Sequence, residues 1–181
     1  MMGNRTPSQT IGPFFHVGLK WEDGDKVQFA AAGEKIVLTG CVYDGAGTLI
    51  ADAMVETWQA DPAGKVPGAG AAARAYGYSR AMTATDGRYT IETQMPGACT
   101  GPGGERYAPQ VNVTIFARGL LKAVRTRVFV AAADSVKDDP LARAAGARVG
   151  TLTAARDAKD PKVWHWDVRL QGKDETAFIE F

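Results

Sequence analysis

The sequence predicts an all-β chain: an antiparallel β-sandwich with short helical insertions and an extended N-terminal arm. Three observations predict it. Apolar and polar residues alternate with period two in short runs, as half-buried strands require. Gly, Pro and Asp clusters bound those runs at turn-like intervals. Only one segment carries a complete helix-start signature. At 181 residues, with 45% hydrophobic and 23% charged residues, the chain is ordinary globular material and not a disordered one. Residues 1–181 are therefore read as a single domain.

Taken in order, residues 6–16 (TPSQTIGPFFH) combine two prolines, a glycine and three hydroxyls, which favour a stiff extended segment within an arm over 1–20. Lys35 to Tyr43 alternates, with Ile36, Leu38 and Val42 on one face and Val37, Thr39 and Cys41 on the other. Asp44-Gly45-Ala46-Gly47 ends it, and a second extended stretch runs from Thr48 to Ala60, stopping at Asp61-Pro62. Residues 67–75 (PGAGAAARA) read as a surface loop. Met82–Thr85 and Arg88–Thr93 flank Asp86-Gly87, which predicts a hairpin with a type I′ turn. Val111–Ile115 and Val124–Val130 are further strands, and Val163–Leu170 places Trp164, Trp166, Val168 and Leu170 on one face. Asp139 before Pro140 and Leu141–Ala145 predicts one short capped helix. No period of 20 to 50 residues repeats, which excludes a solenoid.

Charge and motifs narrow the function. Lys plus Arg is 21 and Asp plus Glu 20, a formal charge of +1, so no electrostatic pull toward nucleic acid or anionic lipid follows. No apolar run approaches the roughly 18 residues of a membrane span, and the opening MMGNRTPSQT lacks a basic region followed by an apolar stretch. Cys41 and Cys99 allow one bridge at most, so a cytoplasmic enzyme or enzyme subunit is expected. G-x-S-x-G, H-E-x-x-H and the phosphate-cradling G-x-x-x-x-G-K-[ST] are all missing. The two histidines, His16 and His165, stand at opposite ends of the chain and read as structural or solvated imidazoles. Two segments stand out: the arm, which can present backbone groups to a ligand, and Phe116-Ala117-Arg118-Gly119, where an arginine at a strand end can aim its donor fork at a carboxylate. From composition alone, an ordered but functionless terminus and a solvated arginine are the better readings of these two. Arg125 and Arg127 alternate on the next strand as a wetted or subunit-facing surface.

Residues 6–16, 55–61 (VETWQAD), 85–87, 95–97 (MPG), 108–112 (APQVN), 116–119 and 176–181 (TAFIEF), in that order, resemble the alpha chains of the intradiol ring-cleaving dioxygenases. The resemblance spans residues 6 to 181 and loosens around 22–33 and 64–78. It implies a sandwich paired with a homologous beta chain that holds Fe(3+) through two tyrosines and two histidines, and intradiol cleavage of 3,4-dihydroxybenzoate by O2. It further implies that Thr10, Gly12, Pro13 and Phe14 lie against the substrate ring and that Arg118 faces its carboxylate; some relatives have tyrosine at the place of Phe14. With the resemblance included, Arg118 is read as functional. Iron-bearing relatives carry His-x-His where this chain has Gln110 and Asn112, and a ligand tyrosine near Cys99; the other tyrosine has no counterpart that Tyr76 or Tyr78 clearly fills. No metal residue, and no catalytic residue, is therefore expected in this chain. Two other readings stand beside this one: a catalytically silent sandwich used as a binding or scaffold module, and a homo-oligomeric metalloenzyme drawing on His16, His165 and the tyrosines.

Overall fold

A computed structural model of the chain describes residues 12, 15–29, 32–67 and 76–179. In chain order it contains a one-turn helix α1 (Phe15–Gly18) and strands β1 (Lys35–Tyr43), β2 (Met54–Gln59), β3 (Tyr78–Met82), β4 (Arg88–Gln94), β5 (Cys99–Thr100), β6 (Arg106–Tyr107), β7 (Gln110–Phe116) and β8 (Val124–Phe129). Helices α2 (Ala133–Val136) and α3 (Pro140–Ala145), a 3₁₀ helix over Gly146–Leu152, and short strands β9 (Ala155–Arg156), β10 (Val163–His165) and β11 (Val168–Arg169) follow. Most of the predicted arm, and residues 68–75 of the predicted loop, lie outside the described residues.

Two sheets face one another. One is antiparallel throughout, in the order β3-β2-β7-β8; the other is built on β1, which pairs antiparallel with β4 and parallel with β10 and β11. Alternation works as expected: Ile36, Leu38 and Val42 turn inward with Tyr89 and Ile91, opposite Val55, Val113, Ile115 and Val128 of the facing sheet. Each fully buried aliphatic chain contributes roughly 1.5–3 kcal/mol. The predicted helix forms where its signals lie. Asp139 Oδ1 accepts from the N–H of Leu141 (2.8 Å), and its Oδ2 accepts from Ala108 N–H (2.8 Å), tying the helix to the strand region before β7. Asp139→Ala removes the cap and strands the Ala108 N–H. A loss of about 2–3 kcal/mol in a denaturant melt is expected.

Three expectations need correction. Val163–Leu170 is not one antiparallel strand but β10 and β11, both parallel to β1, with a break at Trp166–Asp167. The cause lies across the sheet at Gly40: a Cβ there would sit 1.8 Å from the Trp166 carbonyl oxygen. Asp167 Oδ1 instead accepts from Cys41 N–H (2.8 Å), and the buried Tyr89 hydroxyl donates to the Trp166 carbonyl (2.7 Å). Trp164, Trp166 and Val168 still share the buried face, and Leu170 packs against the core partly covered.

Asp86-Gly87 does not close a hairpin within one sheet, because β3 joins β2 while β4 joins β1. Nor is the turn type I′, which needs positive φ at both central residues. Gly87 has φ 70° but Asp86 does not share it; Asp23 is the one non-glycine with positive φ among the described residues. Gly87 N–H donates to the Ala84 carbonyl and Ala84 N–H to that of Arg88, both at 2.8 Å, making a three-residue loop between sheets.

The stretch from Thr48 becomes a strand only at Met54. Thr83 staples the turn before it: its hydroxyl accepts from Ala53 N–H (2.9 Å) and donates to the Ile50 carbonyl (2.7 Å).

The edges of β3, β4 and β8 are each partly covered by other segments. Residues 24–28 run between β3 and β4, taking Arg80 N–H on Gly24 O (2.6 Å) on one side and Glu92 N–H on Asp25 O (2.9 Å) on the other. Along β8, Ile179 N–H donates to Arg125 O (2.8 Å) and the Thr126 hydroxyl to Ala177 O (2.7 Å). No helix among the described residues is long and apolar enough to cross a membrane.

Candidate functional site

Arg118 stands two residues beyond the end of β7, held between the buried Ala117 and Gly119, whose φ of 87° turns the chain away. Its side chain is 69% exposed and its Nε pairs with Asp52 Oδ2. Asp52 sits in the turn that Thr83 staples, and its side chain is more covered, at 26% exposure. Sequence reasoning missed Asp52; a lone aspartate in a turn carries no signal that it faces an arginine far along the chain. Of the ring-facing candidates, Thr10, Pro13 and Phe14 lie outside the described residues. Gly12 is described: its carbonyl accepts from Phe15 N–H (3.3 Å), and a Cβ there would meet none of the described residues within 4 Å.

The opposite end of β7 forms a different environment. Gln110, Asn112 and Cys99 line a cavity of about 290 Å³ together with Trp58, Ala60 and Val66. Gln110 is buried and its Oε1 has no hydrogen-bond partner among the described residues, while Asn112 Nδ2 donates to the Trp58 carbonyl (3.0 Å). Burial pushes the Cys99 thiol up; Arg127 opposes that and Asp139 adds to it. Two neutral carboxamides and a thiol held protonated are a poor donor set for a ferric ion. Nor does Tyr78 supply a ready phenolate. Tyr78 donates to Glu56 Oε1 (2.7 Å), and its hydroxyl is pushed well above the phenol range by burial and then by that acceptor. Among the described residues, no group of three or more His, Cys, Asp or Glu side chains could hold a metal ion. The described residues lining this cavity do not fit ferric iron.

Arg118 stands eight positions after Gln110, about 26 Å along an extended chain. The arginine therefore cannot serve the cavity at the other end of its own strand. Its side chain faces outward, 69% exposed, and Leu121, three residues on, is 82% exposed.

His165, read from the sequence as structural or solvated, is exposed and lies 3.0 Å from Asp157 Oδ2. Asp157 also caps its own loop through the N–H groups of Asp160 and Lys159, which, followed by His165, hold its carboxyl down at about 2. A depressed carboxyl stabilises the fold above the ordinary value of 3.8 and loses that contribution as pH falls toward about 2. The stability gap between the wild-type chain and Asp157→Asn should be present at neutral pH and close across that window in denaturant melts. A gap independent of pH would contradict it.

A half-buried clasp holds the segment that follows α1. Glu56 Oε1 accepts from Arg80 Nε (2.8 Å), Arg80 Nη1 donates to the Leu19 carbonyl (3.0 Å), and the guanidinium lies 4.4 Å from the Trp21 ring centroid. Periodicity gives no hint of this clasp, because Arg80 and Glu56 occupy facing positions of β3 and β2 that read as ordinary polar strand residues.

A family model described as "Dioxygenase" matches residues 12–172. The protocatechuate 3,4-dioxygenase alpha chain of Burkholderia cepacia is 38% identical over 195 aligned residues, covering 97% of both chains. That of Pseudomonas putida is 35% identical, covering 97% of this chain and 96% of the other. The beta chain from Burkholderia cepacia is 27% identical, covering 80% of this chain and 67% of its own. Among solved structures, catechol 1,2-dioxygenase from Pseudomonas arvilla C-1 superposes with a TM-score of 0.64 at 23% identity, over 84% of this chain and 58% of that one, a likeness of fold.

Proposed function

We infer, since this chain belongs to the intradiol dioxygenase family, that it is the alpha chain of a protocatechuate 3,4-dioxygenase. The observation that carries this reading is the match to two alpha chains over 97% of its length. Such an enzyme opens the ring of 3,4-dihydroxybenzoate with O2 between its hydroxyl-bearing carbons, giving 3-carboxy-cis,cis-muconate. The partner is a homologous beta chain. Non-haem iron belongs to the complete enzyme, and we assign the ferric ion to the beta chain; the amide and thiol set at Gln110, Asn112 and Cys99 supports that assignment. The pairing of His165 with Asp157 and of Tyr78 with Glu56 speaks against a homo-oligomeric metalloenzyme drawing on those side chains, and kinship to enzyme alpha chains over 97% of the length speaks against a silent scaffold.

This chain's part is to bind and orient. Arg118 offers its guanidinium to the benzoate carboxylate, a charge-assisted contact that fixes which way the ring points. Gly12 permits close backbone approach, and Thr10, Pro13 and Phe14 form the wall against the ring and keep water from it. The outward aim of Arg118, away from its own cavity, supports a role in a neighbour's pocket. Residues 1–181 act as one domain, with 1–20 packing on the beta chain; the exposed Val17 and Leu19 beside the buried Phe15 support that. Cytoplasmic residence agrees with two unbridged thiols, Cys41 and Cys99. Purified alone, the chain should be colourless and inactive, and co-purified with its beta chain it should give a coloured ferric complex. Full activity and unchanged substrate affinity from the beta chain alone would refute the pocket role.

A further inference from the structure

We infer that Asp52 is a positioning residue: it grips the Arg118 guanidinium by its Nε edge and leaves the terminal NH2 groups free for the substrate carboxylate. The inference rests on the reading of Arg118 given above and extends it to a residue that reading does not include.

The ion pair is poorly explained as a source of stability. An arginine 69% exposed pairs in a highly screened setting, where such contacts contribute little. Both of its anchors, by contrast, are rigid. Ala53, next to Asp52, is completely buried and hydrogen-bonded to Thr83 through both its N–H (2.9 Å) and its carbonyl (2.9 Å). Ala117, before Arg118, is 1% exposed at the end of a strand paired on both sides. A long, rotamer-rich side chain between fixed points is what a one-sided carboxylate contact would preset. Guanidinium carries five N–H donors in a planar fork, and a contact at Nε leaves both terminal nitrogens available. When a partner subunit covers this corner, Asp52 also offsets a cation that would otherwise be desolvated before substrate arrives.

Asp52 has a second, opposing effect, since its charge repels an incoming carboxylate. Two variants of the assembled enzyme separate orientation from repulsion. Asp52→Ala removes both the grip and the charge; Asp52→Asn keeps an acceptor for Nε and removes only the charge. Positioning predicts that KM for protocatechuate rises about ten-fold in Asp52→Ala, equivalent to ~1.4 kcal/mol, and less in Asp52→Asn. KM for catechol, which lacks the carboxylate, should not move, and iron content should stay at the wild-type level. Combined with Arg118→Ala, Asp52→Ala should add nothing further. The inference is overturned if KM for protocatechuate stays level or falls in Asp52→Ala while Arg118→Ala still raises it, since Asp52 is then a spectator or a competitor. It is equally overturned if both substrates are affected alike, the mark of a structural role. If Arg118→Ala itself leaves discrimination between the two substrates intact, the reading of Arg118 fails and this inference fails with it.

Discussion

Gly40→Ala is expected to prevent the chain from folding, with a loss above about 4 kcal/mol against the ~5–15 kcal/mol of a typical domain. The added methyl would lie 1.8 Å from the Trp166 carbonyl oxygen and 2.5 Å from its carbon. Those are backbone atoms, so no side-chain rotation relieves the clash. That carbonyl is held by the Tyr89 hydroxyl, and the next residue is held by Cys41 through Asp167. Moving the segment would therefore break buried hydrogen bonds and displace Trp166 and Val168, which are 3% and 0% exposed. Gly150→Ala is the control, because a Cβ there meets nothing within 4 Å and the residue has no positive φ. It should stay within about 0.5 kcal/mol of wild type. A Gly40→Ala chain that melts within about 1 kcal/mol of wild type would show that the parallel pairing tolerates separation.

Arg118→Ala in the assembled enzyme is expected to lower kcat/KM for protocatechuate by about 10- to 100-fold, the ~1.5–3 kcal/mol of a charge-assisted contact to a carboxylate. The melt should hardly shift, because the exposed pair with Asp52 contributes at most about 1 kcal/mol. Catechol should lose much less than protocatechuate. Equal losses on both substrates, or a fall in bound iron, would assign Arg118 to assembly and not to recognition.

What could be read from the sequence follows the range over which each device acts. The faces of β1, β7 and β8 follow from alternation, a property of neighbouring residues. The helix at Pro140–Ala145 was readable because its cap, proline and helix formers are contiguous. Asp86-Gly87 announced a turn, yet nothing local says which sheet each flanking strand will join, and the same dipeptide serves three-residue loops. The break at Trp166–Asp167 leaves alternation undisturbed; it depends on Gly40, far away in the chain. The site divides the same way. Arg118 is a strand-end arginine beside glycine, a pattern shared by many solvated arginines, and only the family resemblance gives it a role. Asp52, in a turn, faces an arginine far along the chain beyond the end of β7, and no local pattern marks that pairing. Gln110, Asn112 and Cys99 look like ordinary strand residues, and only the family resemblance gives their positions a meaning.

The strap of residues 24–28 and the terminal stretch along β8 have a consequence for how this subunit recruits others. With those borders taken at these points, the described residues of the long strands offer a foreign chain fewer free amide groups onto which it could zip. Backbone ladders accept nearly any extended peptide, whereas a surface of side chains such as Val17, Leu19 and Leu121 discriminates by shape and polarity. Closing the borders thus guards the solitary subunit against fibril-like self-association and leaves mate selection to residues that can tell one homologous chain from another.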